Sequence, residues 1–419
     1  MKHGYGHMRC ALIGEHLGHS FSAQIHASIA DYTYDMVELR PEAVEAFVKN
    51  GGYDAFNATI PYKQAVLPFL DSVSPEAERI GSVNTVVRRP DGTLHGYNTD
   101  YFGFDEMLTL SGIDVRGAKV LVFGNGGASL TVQAVLRDRG AREILIFSRK
   151  GPNTYDTLPL HTDAEVIVNA TPVGMYPQNG ESLVDLSLFP HCRGVLDVIY
   201  NPARTALLLD AERRGIPHIN GLYMLVAQAV KAFEYFTGDA AEDGIIRRIT
   251  AEISANTQNI ILVGMPGCGK STVGKALASS MGRAFYDADE KFIAMHGVTP
   301  SDAIQTLGEE RFRELEHETL CELGKKSGTV IACGGGAVTR AYNYDPLHQN
   351  GIIVYLKREL SMLATDGRPL SARHSVEKLY TARKEAYEQF ADLTVESTEV
   401  VERTAEAMRT ALVGYAAKI

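Results

Sequence analysis

The chain has 419 residues, 45% hydrophobic and 22% charged, enough ordinary globular material for two or three cored domains. A net charge of −10 argues against a general nucleic-acid or anionic-membrane binder, so any basic groups that matter are expected to be local. No stretch reaches the ~18 apolar residues of a membrane-spanning helix, and Met1 to His7 lacks the apolar core of a signal peptide. The five cysteines are scattered and never spaced C-x-x-C, which points to a reduced cytoplasm and no structural zinc.

Along the chain, short apolar runs alternate with helical patterns: Arg9 to Ile13, Val120 to Phe123, Ile144 to Phe147, Val166 to Val168, Val195 to Val198, Ile260 to Val263, Val330 to Cys333 and Ile352 to Leu356. The alternation predicts α/β architecture with parallel sheets, and no short-period repeat is visible. The first hundred residues carry four polar constellations, His19 to Ser22, Asn57 to Lys63, Ile80 to Thr85 and Gly96 to Gly103. Two serines spaced i, i+2 on an extended loop can both donate to one carboxylate, and Lys63 with Asp100 can make an acid/base pair; each constellation taken separately is more often a turn or a surface charge. Next, Gly124-Asn-Gly-Gly-Ala-Ser129 follows an apolar strand and opens a helix, fitting G-x-G-x-x-S with Ser129 at the third glycine position of a dinucleotide fingerprint. One strand later Arg149-Lys150 stands where an NAD-binding sheet places an acid. A cationic pair there suits a ribose 2′-phosphate, or it is simply a solvated strand end.

An amphipathic helix over 244–253 is predicted to end in the polar, non-periodic hexapeptide Ser254 to Asn259, where the domain boundary is expected. Immediately beyond lies Gly264-Met-Pro-Gly-Cys-Gly-Lys-Ser-Thr272, a full G-x-x-x-x-G-K-[ST] phosphate loop between a buried strand and a helix. Asp287 and Asp289, spaced i, i+2 on what reads as an extended segment, share one face, so one can reach a metal while the other meets an acceptor hydroxyl. The same Asp-x-Asp also serves as a helix cap. Gly308 to Glu316 opens a charged helix, and Gly334 to Gly336 ends a strand where backbone amides can approach a ligand.

Residues 8 to about 250 resemble the shikimate dehydrogenase family, through the four constellations and through Val168 to Met175, Asp197 to Pro202 and Gly221 to Gln228. The resemblance implies a substrate-binding domain over 1–102 and a Rossmann-like NADP domain over 103–253, with its last helix, 222–253, packing back on the substrate domain. It places Ser20 and Ser22 on the substrate carboxylate, Thr59, Asn84, Tyr200 and Gln228 on the ring hydroxyls, and Lys63 with Asp100 as the catalytic pair reducing 3-dehydroshikimate. NADP would lie on Gly124, Gly126, Gly127 and Ala128, on Ser148, Arg149 and Lys150, and on Thr171, Gly221 and Met224. Two departures stand out. Ala23 and Ala27 replace a proline and an asparagine usual after the serines, and 151–163 looks trimmed where relatives carry a helix.

Residues 259 to 413 resemble the shikimate kinases, a small nucleoside-monophosphate-kinase-like fold, in the phosphate loop, Asp-Ala-Asp, Gly-Glu-x-x-Phe-Arg-x-x-Glu, Gly-Gly-Gly, the lid Asp366 to Leu370, and Arg383 with Tyr387. The resemblance implies a linker over 254–258 and a kinase domain over 259–419 with its lid near 360–374. ATP with Mg2+ would be held by Gly264, Gly267, Cys268, Gly269, Lys270, Ser271 and Thr272, with Ser271 and Asp287 on the metal. Asp289 would accept the hydroxyl proton, Arg313 and Arg383 would clamp the carboxylate of shikimate beside Gly334, Gly335 and Gly336, and Arg368 would close over the transferring group. Both resemblances meet at one metabolite, shikimate. A quinate/shikimate dehydrogenase using NAD, or a catalytically silent metabolite sensor, are the alternative readings.

Overall fold

In the computed structural model, which describes residues 4–18, 20–363 and 373–416, the apolar runs named above fall on strands, with Val198 and Cys333 one residue beyond the ends of theirs. The chain divides into two compact units. The first comprises Met1–Met175, Glu181–Tyr200 and Leu207–Thr250, and the second Tyr176–Gly180, Asn201–Ala206 and Ala251–Ile419. No helix among the described residues is long and apolar enough to cross a membrane.

The first unit holds two sheets. One contains β1 (Arg9–Gly14), β2 (Thr33–Glu38), β3 (Ala55–Ala58), β4 (Ser72–Val73), β5 (Thr85–Arg88) and β6 (Leu94–Tyr97), in the order β2-β1-β3-β5-β6-β4. Its β1, β2 and β3 pair in parallel as expected, but β5 runs antiparallel to both β3 and β6, so this sheet is mixed. The cause is local. Pro90-Asp91-Gly92 closes a tight turn, with the Arg89 amide bonded to Thr93 O at 2.8 Å and Gly92 at φ +87, which reverses the chain.

The other sheet is wholly parallel, ordered β11-β10-β9-β7-β8 from β7 (Lys119–Phe123), β8 (Glu143–Phe147), β9 (Val166–Asn169), β10 (Gly194–Asp197) and β11 (His218–Ile219). Between β8 and β9 the chain makes a 3-10 helix, Tyr155–His161, with Pro159 inside it; its Leu158 packs into the core with Phe123 and Phe147. A proline without an amide hydrogen is poorly suited to a continuing α-helix, which accounts for the trimmed crossover. Helix Leu222–Thr237 joins the two sheets. Tyr223 and Met224 enter the core of the parallel sheet, while Ala232, Phe233 and Phe236 pack with Cys10, Tyr32 and Ala55 of the mixed one.

The second unit is a five-stranded parallel sheet ordered β13-β14-β12-β15-β16, from β12 (Asn259–Val263), β13 (Phe285–Asp287), β14 (Val330–Ala332), β15 (Gly351–Lys357) and β16 (Leu393–Glu396). Residues 259–263 are all buried, which explains the unbroken apolar run from Ile260 to Val263. The helix expected to stop at Ile253 runs to Thr257. Ile245, Ile249 and Ile253 bury one stripe, and the polar residues that follow continue the exposed side, with Thr257 Oγ1 donating to Ile253 O at 2.8 Å.

Two candidate active sites

In the first unit the decisive pair is Lys63 and Asp100. Asn98 caps the helix Thr99–Ser111 by accepting from the Tyr101 amide, so Asp100 lies in the first turn, where the helix dipole favours a carboxylate. The Lys63 carbonyl accepts from the Val83 amide at 2.8 Å, and its Nζ reaches Asp100 Oδ2 at 2.5 Å. These side chains are 17% and 8% exposed, so the charge pair is largely withdrawn from solvent yet reachable. An ammonium held by a carboxylate at such a place is equipped to give a proton and take it back.

The other predicted substrate residues are each placed by their own contacts. Ser20 Oγ lies 3.0 Å from Ser22 Oγ at the start of helix Ser22–Ile29, and the Tyr200 ring packs on Phe21 with centroids 5.7 Å apart, which brings Tyr200 to the serine loop. Burial raises the Tyr200 phenol above its ordinary pKa, so it stays a neutral hydroxyl. Thr59 is fixed at the end of β1 by its amide bond to Ile13 O at 2.9 Å. Asn84 Nδ2 faces Gln228 Oε1 at 3.4 Å.

The dinucleotide loop adjoins them. Gly124 at φ +108 lies so close to the next strand that a Cβ would stand 2.7 Å from Ala170 O. Gly126 caps helix Gly127–Asp138, and the Cβ position of Gly127 is 3.7 Å from Lys63 Cδ, so the helix N-terminus flanks Lys63. Gly127 and Ala128 begin that helix, with amides suited to a pyrophosphate. Arg149 and Lys150 are exposed past the end of β8, and Ser148 Oγ donates to Lys150 O at 2.6 Å, shaping their turn. Asn169 ties two of the predicted motifs together, accepting from Thr171 Oγ1 at 2.8 Å and donating to the buried Asp197 at 3.1 Å. A Cβ at Gly221 would stand 2.0 Å from Val198 O, so that position must stay bare for Met224 and its helix to approach. These residues fit a 2′-phosphorylated dinucleotide: bare amides at a helix start, and cations one strand away.

In the second unit Gly269 at φ +99 caps helix Lys270–Met281. Lys270 Nζ bonds Gly264 O at 2.9 Å and Met265 O at 3.0 Å, while Ser271 Oγ donates to Asp287 Oδ2 at 2.6 Å. Hydroxyl and carboxylate oxygens are the hard donors that magnesium takes. Gly267 and Cys268 complete the loop, and Thr272 lies exposed on the first turn. Contrary to the expectation from sequence, Asp287 and Asp289 do not share an extended segment. The strand ends at Asp287, whose Oδ1 caps the next helix by accepting from the Asp289 amide at 3.0 Å, so Asp289 sits in a first helical turn. Asp289 still faces the intended place, because the Cβ position of Gly334 is 3.4 Å from Asp289 Oδ1.

Around the three glycines the anchors converge. Arg313 is buried and its Nη1 meets Glu316 Oε2 at 2.6 Å, while a Cβ at Gly336 would come within 2.4 Å of that same nitrogen. Arg383 Nη1 donates to Gly335 O at 3.0 Å, and Tyr387 OH to the same oxygen at 2.5 Å. Burial raises the Glu316 pKa, and the neighbouring Arg313 draws it back down. Glu316 was legible only as part of a charged helix; its role in holding Arg313 needed the i, i+3 geometry. Arg358 was not singled out at all. It follows β15, its Nη1 is 3.6 Å from the Cβ position of Gly269, and its buried Nε has no hydrogen-bond partner among the described residues. The one signal for it is a cation just past a buried strand beside the phosphate-loop strand. Arg368 lies outside the described residues.

Comparison with known proteins gives two sets of matches. The family model for the shikimate dehydrogenase substrate binding domain matches residues 12–86, the shikimate 5′-dehydrogenase C-terminal domain matches 221–249, and shikimate kinase matches 266–412. A shikimate dehydrogenase (NADP(+)) of Clostridium perfringens is 34% identical over 263 residues, covering 58% of this chain and 97% of the relative. One from Caldanaerobacter subterraneus is 36% identical over 270 residues, covering 58% and 96%. Among solved structures, shikimate dehydrogenase 1 of Peptoclostridium difficile aligns at a TM-score of 0.55 with 36% identity, covering 58% of this chain and 97% of that one.

Proposed function

The chain belongs to the shikimate dehydrogenase family and carries a shikimate kinase domain behind that part, and from this premise we propose a bifunctional enzyme. It reduces 3-dehydroshikimate to shikimate with NADPH and then phosphorylates shikimate with ATP and Mg2+ to shikimate 3-phosphate. The observation that carries the reading is that one chain assembles both reactive sets, the Lys63–Asp100 pair and the Lys270, Ser271 and Asp287 cluster. A silent metabolite sensor would have no use for either. The division at 1–102, 103–253 and 259–419 and a cytoplasmic location, in keeping with five free cysteines, belong to the same proposal.

NADPH, when bound, supplies the hydride of the first step, and Mg–ATP supplies the phosphoryl group of the second. In the first step Lys63 gives its proton to the ketone oxygen as that oxygen gains charge, and Asp100 keeps the ammonium aimed and the substrate hydroxyl oriented. Ser20 and Ser22 donate to the substrate carboxylate, with Thr59, Asn84, Tyr200 and Gln228 on the ring hydroxyls. Arg149 and Lys150 meet the 2′-phosphate. In the second step Arg313 and Arg383 clamp the carboxylate of shikimate and Asp289 accepts the proton of the attacking hydroxyl. Lys270 neutralises phosphate charge, and Ser271 and Asp287 offer oxygens to the metal. Phosphoryl transfer requires positioning and charge neutralisation above all, which this set supplies.

Each half is tested by its own assay: NADPH oxidation with 3-dehydroshikimate, and ADP release with shikimate. Activity in both is expected. Silence in either removes the corresponding half of the proposal, and preference for NADH with quinate would replace the first half with a quinate dehydrogenase.

A further inference from the structure

Behind the dehydrogenase site lies a polar network that no apolar core would tolerate unless every member were satisfied. Asn57, Asn84, Thr85 and Thr99 are all buried, at 5%, 3%, 0% and 0% exposure. The Thr99 backbone amide, which can only donate, reaches Asn84 Oδ1 at 2.7 Å. The Thr99 and Thr85 hydroxyls stand 3.1 Å and 3.2 Å from the same oxygen. The obligate amide donor fixes which end of the Asn84 side chain is oxygen, so Nδ2 must face the other way.

Thr85 is the hub of this arrangement. Its Oγ1 accepts from Asn57 Nδ2 at 3.0 Å, which leaves its own hydrogen for Asn84 Oδ1 or for Thr99 Oγ1, 3.0 Å away. Asn57 is held in turn, accepting from Tyr34 OH at 2.7 Å and donating to Asn84 O at 3.1 Å. On the opposite side Gln228 spends its Nε2 on Leu225 O at 2.8 Å, so its Oε1 faces Asn84 Nδ2. The site therefore shows one donor beside one acceptor, 3.4 Å apart. A substrate hydroxyl can accept from the first and donate to the second, whereas a carbonyl or ether oxygen can only accept.

We propose that Thr85 is a positioning residue of the dehydrogenase half: it locks the Asn84 amide so that a ring hydroxyl is read by an Asn84 donor and a Gln228 acceptor. The inference rests on the proposed dehydrogenase reaction. The test is Thr85→Val, nearly isosteric but without the hydroxyl, with Thr85→Ser as the rescue and NADP-linked shikimate oxidation as the readout. Thr85→Val raises KM for shikimate about tenfold, more than it lowers kcat, and leaves KM for NADP within twofold. Thr85→Ser returns KM to within threefold of the parent, and in an Asn84→Ala background Thr85→Val adds less than twofold. Kinase activity of the same chains and the melting transition report that the protein is folded. Should the valine variant fail to fold, Thr85→Ala, which also lacks the hydroxyl and adds no bulk, takes its place with the same expectations. An unchanged KM in the folded variant, or an equal rise in the Asn84→Ala background, overturns the proposal. A parent protein without shikimate oxidation would instead overturn the reaction on which it rests.

Discussion

Gly336→Ala offers a sharp perturbation of the kinase half. The glycine sits at φ −101 and ψ −5, a backbone conformation open to alanine, so the substitution brings no dihedral strain. It brings a clash instead. The new Cβ would stand 2.4 Å and 2.5 Å from the two terminal nitrogens of Arg313, where ordinary contact begins near 3.4 Å, so the guanidinium must retreat by about 1 Å. Its 2.6 Å bond to Glu316 is then expected to stretch beyond hydrogen-bond length, and the proposed Arg313 grip on the substrate carboxylate should be lost with it. A charge-assisted bond of this kind contributes about 1.5–3 kcal/mol, which corresponds to roughly 10- to 150-fold in kcat/KM for shikimate. Steady-state ADP release measures it, and the dehydrogenase activity of the same molecule serves as the internal control for concentration and folding. The loss should appear mainly as a higher KM for shikimate, with KM for ATP little changed. A KM for shikimate within twofold of the parent would refute the assignment of Arg313 as the carboxylate anchor.

Further expectations concern the first unit. Lys63→Met should lower kcat for NADPH oxidation by about 10²- to 10⁴-fold while ADP release is untouched; parallel losses in both assays would point to misfolding rather than to lost proton transfer. Arg149→Ala should raise KM for NADPH about tenfold, about 1.4 kcal/mol of binding, and leave KM for NADH unchanged, so an equal effect on both cofactors would rule out a contact to the 2′-phosphate. His26 is buried and its pKa is lowered to about 3 from an ordinary 6.5. Below pH 6.5 the unfolded chain gains a proton there that the folded chain does not, so stability falls on acidification by about 1.4 kcal/mol per pH unit until the folded value is reached. Thermal melts from pH 7.5 to 5 should show this slope for the parent and a flatter one for His26→Gln; coincident slopes would remove His26 as the cause.

Much of this architecture could be read from residues because the parallel strands are buried on both faces. Val120 to Phe123 and Ile260 to Val263 have no polar side to confuse the pattern. Strand β2, Thr-Tyr-Asp-Met-Val-Glu, is half-exposed along its length and left no apolar run, and the antiparallel turn at β5 and β6 is marked only by Pro90-Asp91-Gly92. The polar stretch after Ile253 read as a linker because an exposed helix face carries no hydrophobic signal, although the stripe of isoleucines four apart pointed to the helix behind it. At the sites, the motif residues were legible through the resemblance to the two families more than through spacing: Lys63 and Asp100 are 37 residues apart yet meet at 2.5 Å. What spacing could not show is support. Glu316 beneath Arg313, and Thr85 and Asn57 beneath Asn84, are ordinary residues whose work depends on which neighbour the fold brings to them.

By the proposed function, one chain performs two consecutive reactions on one metabolite. Incubating the purified full-length protein with 3-dehydroshikimate, NADPH, ATP and Mg2+ and following the products by mass spectrometry tests it most directly. Shikimate should appear and then give way to shikimate 3-phosphate, with NADPH and ATP each consumed in equal amount to the final product. Accumulation of shikimate without its phosphate, or no loss of 3-dehydroshikimate at all, would contradict the account.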